Sequence, residues 1–93
     1  MLDVMFYVYI MQSLKDRKLY IGSTTDLRRR MAEHGSGKVR PTRHRLPLRL
    51  VCYEGYLHKE EAQRREKFLK SSDGHKDLAK RLTKSIGNPG GIA

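Results

Sequence analysis

The chain has 93 residues, and its 20 lysines and arginines against 10 aspartates and glutamates give a formal net charge of +10. This length predicts one domain with a single modest core. No apolar run approaches the ~20 residues that a membrane-spanning helix needs, and an acid stands near the N-terminus where a secretory signal carries basic residues, so we expect a cytoplasmic protein. The positive charge attracts polyanions, so we expect nucleic acid as the partner. We do not expect a membrane as a partner. The alternative is that the charge only keeps the protein soluble.

Two strands joined by a short polar turn are predicted first. Residues 4–12 alternate between two largely apolar faces, which indicates a strand covered on both sides or central in its sheet. Residues 19–22 form a shorter strand, and the short separation predicts an antiparallel hairpin. Any connecting loop with an even number of residues places Tyr9 and Tyr20 on one face, directly opposed or diagonal. The alternative role for this pair is aromatic packing alone.

A short helix is predicted next, from N-cap candidates at residues 24–26 to a stop at Gly35. Gly22, just before it, is expected to let the backbone bend sharply from strand into helix. Helical spacing places Arg30 and His34 beside the apolar stripe, facing the sheet and its tyrosines. A partly buried arginine is a good fork for phosphate oxygens. The structural alternatives are a salt bridge for Arg30 and a favourable dipole contact at the helix C-terminus for His34.

The pattern after Gly35 predicts a basic loop over residues 36–47 and then a strand over residues 48–53, with an extension to 56. Two helices are predicted to follow, over residues 59–71 and 76–84. Residues 1–84 are expected to form one domain, and residues 85–93 a flexible C-terminal tail. The order β-β-α-β-α-α predicts an α/β (α+β) fold with a small three-stranded, largely antiparallel sheet flanked by helices.

The helix over residues 59–71 carries a carboxylate in its apolar stripe. Glu66 lies between Ala62 and Leu69, about 40° from Ala62 around the helix. A carboxylate in such a position is unfavourable unless it is paired or bound to a metal. Glu66 is therefore a candidate oxygen ligand for Mg²⁺ or Mn²⁺. The alternative is an ion pair with one of three nearby cations, Arg65, Lys70 or Arg30.

The ordered set of these residues resembles the GIY-YIG nuclease superfamily, especially its short stand-alone members. The matching positions are Y-V-Y at residues 7–9, Y-I-G at residues 20–22, then Arg30, His34, and Glu66 within A-Q-R-R-E-K-F-L-K. Two departures stand out. The glycine that opens the first family motif is Tyr7 here, and no asparagine follows Glu66 before Ile86, where the family tends to carry one.

The resemblance implies hydrolysis of phosphodiester bonds with one divalent metal, Mg²⁺ or Mn²⁺, on DNA in preference to RNA. Carried over position by position, Tyr9 or Tyr20 helps deprotonate the attacking water. Tyr9 is the preferred base, and its pKa is expected to be lowered by Arg30 and the metal. Arg30 holds the scissile phosphate, His34 stands near the nucleophile, and Glu66 is the one protein ligand of the metal.

Six basic side chains are the candidates for contact with a nucleic-acid backbone: Arg28, Arg29, Lys38, Arg40, Arg43 and Arg45. The first two turn away from the sheet, and the others lie in the basic loop, for which the alternative is a merely solvated segment. A second hypothesis, of another class, is a nucleic-acid-binding module that keeps this fold and does not cut. A chain of 93 residues leaves no room for an attached targeting domain. A separate protein partner is then the alternative source of targeting.

Overall fold

The computed structural model describes residues 4–87, and a three-stranded sheet with four helices accounts for most of them. In chain order the elements are β1 (Phe6–Ser13), β2 (Leu19–Thr24), α1 (Leu27–Gly35), β3 (Leu48–Tyr56), α2 (Lys59–Leu69), α3 (Ser72–Arg81) and α4 (Thr83–Ile86). This order confirms the predicted β-β-α-β-α-α arrangement, with α4 added. Within residues 4–87 no helix is long and apolar enough to cross a membrane.

The sheet has the strand order β2-β1-β3, and both pairs of neighbouring strands are antiparallel. Strand β1 is therefore central, as its two apolar faces predicted. The β1–β2 register pairs Tyr9 with Gly22 and Met11 with Tyr20. The Ser13 N–H also donates to the Lys18 carbonyl at 2.9 Å, which leaves residues 14–17 as a four-residue loop. Tyr9 and Tyr20 are thus diagonal neighbours on one face, which confirms one of the two registers expected for an even-numbered loop.

The two faces of β1 carry different layers. Val8 and Ile10 point into the hydrophobic core, whose other buried members are Leu19, Ile21, Ala62, Leu69, Leu78 and Ile86. Helices α2, α3 and α4 supply the last four of these, so they cover this face. The opposite face carries Tyr7 and Tyr9 and lies against α1. Helices α1 and α2 therefore flank the sheet on opposite sides.

Helix α1 docks on the sheet mainly through a polar residue. Its N-cap is Asp26, whose carboxylate accepts a hydrogen bond from the backbone N–H of Arg29 at 3.0 Å. Leu27 and Met31, the predicted apolar stripe, are only half-buried, and His34 is the one fully buried residue of the helix. Three consecutive arginines leave this short helix little apolar surface, so hydrogen bonds at its C-terminal end fix its position.

The predicted start of the tail at residue 85 is corrected by the structure. Ile86, in α4, is 1% exposed and belongs to the core. Its carbonyl oxygen accepts a hydrogen bond from the side-chain amide of Gln12 at 3.0 Å. The folded domain therefore continues through residue 86, and the rest of the predicted tail, residues 88–93, lies outside the described residues.

Candidate active site

Four of the five predicted catalytic side chains lie together on the tyrosine face of the sheet. The ring centroid of His34 is 5.5 Å from that of Tyr9 and 5.2 Å from that of Tyr20, and the two tyrosine rings are 6.3 Å apart. Arg30 donates a hydrogen bond from Nε to the Tyr9 hydroxyl at 3.4 Å. Helical spacing and hairpin register were sufficient to predict this grouping, while the catalytic roles stay predictions.

A buried chain of hydrogen bonds runs from Tyr9 into the basic loop. The Tyr9 hydroxyl lies 2.8 Å from His34 Nε2, and His34 Nδ1 lies 2.8 Å from Thr42 Oγ1. Thr42 in turn donates to the carbonyl oxygen of Val39 at 3.4 Å. The Tyr9 oxygen already accepts the Arg30 Nε–H, and the Thr42 hydroxyl has a carbonyl acceptor within reach. These contacts favour the tautomer in which Nδ1 donates to Thr42 and Nε2 accepts from Tyr9. Tyr9, His34 and Thr42 are all fully buried, so this chain is inaccessible to solvent.

Burial keeps both Tyr9 and His34 uncharged. It raises the pKa of the Tyr9 phenol, and this effect outweighs the opposing hydrogen bond from Arg30. Burial, and secondarily the charge of Arg30, lowers the pKa of His34. Arg30 lowers the pKa of Tyr9, as expected, but desolvation of the buried phenolate is the larger effect. The expected contribution of a bound metal stays a prediction.

The lowered pKa of His34 predicts a loss of stability in mild acid. The unfolded chain takes up a proton on this residue near its ordinary value of about 6.5, whereas the folded protein resists protonation. Stability is thus fully present above about pH 6.5 and falls as pH drops below that value toward the lower folded pKa. Urea unfolding between about pH 7.5 and about pH 5.5 measures this change.

A matched pair of variants isolates the His34 contribution. His34→Gln is expected to flatten the pH dependence in this range, although it lowers stability overall. His58→Gln, which changes an exposed histidine outside the cluster, is expected to leave the slope unchanged. Equal slopes in the wild type and His34→Gln would show that His34 titrates at its ordinary pKa.

Thr42→Val is expected to lower the free energy of unfolding by about 1–3 kcal/mol, because a buried Nδ1–H loses its acceptor without any change in side-chain shape. Chemical denaturation measures the loss. Thr83→Val is the matched control, since Thr83 is exposed and bonds only to carbonyls of the preceding helix. If Thr42→Val were no more destabilising than this control, the hydrogen bond between His34 and Thr42 would contribute nothing measurable to stability.

Tyr20 and Arg30 are the members of the cluster that a substrate can touch. Tyr20 is only partly buried, and its hydroxyl bonds to no side chain or backbone group within residues 4–87. Arg30 keeps 34% of its side-chain surface exposed. Its Nη1 forms a salt bridge with Glu33 at 3.1 Å, which is the structural alternative given for Arg30 above. Its Nη2 donors have no partner in the described chain. Tyr9 is 0% exposed, so the preferred phenol does not reach attacking water in this structure.

Gly22 leaves room for the Tyr9 phenol. A Cβ atom at residue 22 would lie 2.5 Å from the Tyr9 hydroxyl oxygen and 2.7 Å from Cζ, both well inside van der Waals contact. Gly22 lies within β2, and the described glycines with positive φ are Gly37 and Gly87. The predicted bend into the helix is therefore wrong, and the glycine is required because the aromatic ring approaches the backbone closely.

Glu66 approaches from the other side of edge strand β2. Ser23 pairs with Val8 and so points to the core face, where its hydroxyl donates to Glu66 Oε1 at 2.8 Å. Lys70 forms the ion pair with Oε2 at 2.9 Å, which was one of the predicted alternatives. Glu66 therefore does not share the face of Tyr9, because α1 and α2 lie on opposite sides of the sheet. Its negative charge is a minor contribution to the raised pKa of Tyr9.

Comparison with known proteins identifies the family. The family model described as the GIY-YIG catalytic domain matches residues 5–79. The chain belongs to the GIY-YIG family. A UPF0213 protein of Streptococcus pneumoniae serotype 4 is 46% identical over 70 residues, which cover 74% of this chain and 70% of that protein. A UPF0213 protein of Streptococcus pyogenes serotype M3 is 43% identical over 65 residues, covering 69% and 70% of the two chains.

A solved structure shares the GIY-YIG fold seen here. The solution NMR structure of a UPF0213 protein from Bacillus halodurans is 41% identical, with a TM-score of 0.52, and the match covers 83% of this chain and 84% of that one. The family match confirms the resemblance drawn from the ordered tyrosine, arginine, histidine and glutamate motif. It places this protein in a nuclease family, for which nucleic acid is the substrate class.

The donor set around Glu66 fits a hard divalent cation bound by one carboxylate. Among residues 4–87 no group of three or more histidine, cysteine, aspartate or glutamate side chains could enclose a metal ion. Mg²⁺ commonly binds proteins through one or two carboxylates and keeps several waters and substrate oxygens as its other ligands. The Glu66 side chain is 21% exposed, so part of it is open to solvent.

The six basic residues predicted to contact nucleic acid differ in availability. Five of them are exposed in the structure: Arg28, Arg29, Lys38, Arg40 and Arg43. Arg45 is half-buried, and its Nη1 lies 3.9 Å from a carboxylate oxygen of Asp16. The Arg45 cation is therefore already partly neutralised. The contribution of the other five to nucleic-acid binding stays a prediction.

Two residues beside the candidate site, Thr42 and Tyr53, were not predicted from the sequence. Thr42 stands in a basic loop between proline and arginine, where a polar residue carries no burial signal. Tyr53 lies opposite Tyr9 in the β1–β3 register, so it shares the tyrosine face. Only the pairing of β3 with β1 reveals that relation, because no short turn connects the two strands.

Proposed function

We propose that this GIY-YIG protein is a divalent-metal-dependent endonuclease that hydrolyses phosphodiester bonds in DNA. The observation that carries the proposal is a half-exposed arginine, Arg30, whose guanidinium is held beside a solvent-accessible phenol, Tyr20, by a buried scaffold. Glu66 lies on the other side of edge strand β2, where it accepts a hydrogen bond from Ser23. A cation for phosphate, a phenol for water and a carboxylate for metal are the three groups that such hydrolysis needs.

Arg30 binds the scissile phosphate in this proposal. Tyr9 accepts its Nε–H and Glu33 pairs with Nη1, so the guanidinium is oriented with its Nη2 donors left for phosphate oxygens. These contacts raise the pKa of Arg30, so the group is permanently charged. Fixed cationic donors stabilise negative charge that develops on non-bridging oxygens, and one such donor is typically worth about 10²–10³ in rate.

Tyr20, rather than Tyr9, is the phenol that acts on the attacking water. It is the accessible hydroxyl of the pair, while Tyr9 is committed to His34 and Arg30. Tyr9 and His34 are then positioning residues, which fix Arg30 and the Tyr20 ring without touching substrate.

Glu66 is the residue that holds the metal, with its Oε1 lone pairs oriented by Ser23. A bound Mg²⁺ or Mn²⁺ supplies a Lewis acid that stabilises charge on the leaving 3′ oxygen. Lys70, the present partner of Oε2, is exposed and can turn away into solvent, because an exposed ion pair contributes little stability.

Metal-dependent cleavage by wild type and Glu66→Gln tests the proposal. Nicked, branched, single-stranded and plain DNA are incubated with Mg²⁺ or Mn²⁺, or with EDTA. We expect cleavage only with metal, and a loss of at least about 10² in rate for Glu66→Gln. Glu60→Gln, an exposed carboxylate on the same helix, is the matched control and should retain activity. Cleavage that Glu66→Gln retains in full would exclude Glu66 as the metal ligand.

The second candidate is a binding module without catalysis. Two observations favour it: the +10 charge, which needs no chemistry to bind nucleic acid, and the Lys70 ammonium that already neutralises Glu66. Binding that falls steeply with salt, together with no cleavage of any of these DNA forms in either metal, supports this candidate over the nuclease.

A further inference from the structure

An open groove lies beside the candidate active site, on the tyrosine face of the sheet. Its volume is about 610 Å³, within the usual range of ~300–1,000 Å³ for small-ligand sites. The sheet side of the groove is formed by Tyr7, Tyr53 and Leu50, and the α1 side by Leu27, Met31 and Arg28. The groove uses none of the residues assigned to catalysis.

The floor of the groove is an exposed aromatic pair. Tyr53 is 55% exposed, and its ring centroid lies 6.0 Å from that of Tyr7, with an interplanar angle of 69°. The edge-to-face arrangement fixes the Tyr53 ring, yet leaves more than half of the residue open to solvent. A tyrosine that is held by one aromatic neighbour and otherwise uncovered is suited to stack on a flat ligand.

The position of the groove, beside Tyr9 and Arg30, indicates which class of ligand it binds. The Cα atom of Tyr53 is paired directly with that of Tyr9 across β1 and β3, and Tyr9 holds Arg30. A strand whose phosphate binds Arg30 therefore has the groove beside it. The exposed cation of Arg28 lies on the groove wall, where it suits the next phosphate along the backbone. Asp26 also lines the groove, and its carboxylate accepts the Arg29 N–H at 3.0 Å.

We propose that this groove binds an unpaired nucleobase of the strand to be cut, stacked on Tyr53. The inference rests on the proposed function for the identity of the neighbouring phosphate site. A base inside an intact duplex is stacked on both sides and cannot enter the groove without leaving its helix. The substrate class is therefore DNA with unpaired bases, such as a single strand, a flap or a branch point, in preference to a plain duplex.

Tyr53→Trp provides a direct reporter, because the chain contains no tryptophan. In EDTA, so that nothing is cut, we expect a single-stranded thymidine oligonucleotide to quench the indole fluorescence by stacking. A strand of the same length built from abasic sugar-phosphate units should quench far less, and so should a blunt duplex. A uridine oligonucleotide compared with a deoxyuridine oligonucleotide of the same length distinguishes a ribose from a deoxyribose strand as the source of the base.

Affinity variants test the same contact without a fluorophore. Tyr53→Ala is expected to weaken single-strand binding by roughly 5- to 150-fold, the measured effect of losing one base–aromatic stack. Tyr53→Phe should bind like the wild type, because its ring still stacks. Phe68→Ala is the matched control, since Phe68 is a 40% exposed aromatic residue on α2, outside the groove. Thermal unfolding establishes that each variant is folded.

The outcomes separate the groove from the nuclease. Base-dependent quenching by a protein that never cuts DNA supports the groove and overturns only the proposed function. Cleavage without quenching overturns the groove alone. Equal binding of abasic and thymidine strands, or no response of Tyr53→Trp to any oligonucleotide, overturns the proposal. Either result would mean that the groove does not bind a nucleobase.

Discussion

Tyr20→Phe is expected to lower the single-turnover rate of DNA cleavage by about 10²–10⁴-fold, the usual contribution of a general acid–base group. The variant keeps the ring that packs near His34 and removes only the hydroxyl. Because that hydroxyl bonds to no group within residues 4–87, the free energy of unfolding should not change. A rate measured with enzyme in excess over DNA, at saturating Mg²⁺ or Mn²⁺, gives the effect on chemistry directly.

Two further phenylalanine variants make this result specific. Tyr53→Phe removes an exposed hydroxyl from the same face and should cut at the wild-type rate. Tyr9→Phe removes the donor to His34 and the acceptor for Arg30, so it should lose stability as well as rate. If Tyr9→Phe lost activity and Tyr20→Phe did not, Tyr9 would be the base, and the cluster would have to open during catalysis to expose it.

Gly22→Ala is expected to abolish most activity while every proposed catalytic side chain is still present. The added Cβ would occupy the place of the Tyr9 phenol, 2.5 Å from its oxygen, so either the ring or strand β2 must move. Overpacking of this kind typically costs about 1–3 kcal/mol in stability. Displacement of Tyr9 also removes the fixed acceptor for Arg30 and disturbs the neighbouring Ser23, which orients Glu66.

Gly35→Ala is the matched control for this substitution. A Cβ at residue 35 would meet no atom within 4 Å, and its φ is not in the left-handed region. At such a site glycine to alanine is neutral or stabilising, by about 0.4–1 kcal/mol. Denaturant unfolding and cleavage should therefore separate the two variants clearly. Full activity in Gly22→Ala would show that the Tyr9 position is not needed for cleavage.

The sequence was most informative where local periodicity controls geometry. Hairpin parity predicted that Tyr9 and Tyr20 share a face, and helical spacing predicted that Arg30 and His34 point toward them. Both predictions depend on short separations along the chain, where the backbone allows few alternatives. The antiparallel sheet and its flanking helices followed from the same patterns.

Long-range geometry was not accessible from the same patterns. Helical spacing placed Glu66 toward the sheet, but nothing local shows which side of the sheet α2 covers. The predicted role of Gly22 was wrong for a related reason, since it depends on how closely the Tyr9 ring packs against strand β2. Burial of the Tyr9 ring raises the pKa of its phenol, and Arg30 offsets only part of that effect.

The fate of the attacking oxygen is the most direct test of a hydrolytic site formed by Tyr20, Arg30 and Glu66. Cleavage is carried out with Mg²⁺ or Mn²⁺ in water enriched in heavy oxygen, and the new ends are weighed by mass spectrometry. Attack by water with departure of the 3′ oxygen predicts one heavy oxygen in a 5′-phosphate, opposite a 3′-hydroxyl. A product with an unlabelled phosphate or a 3′-phosphate, or no cleavage of any DNA form in either metal, would contradict it.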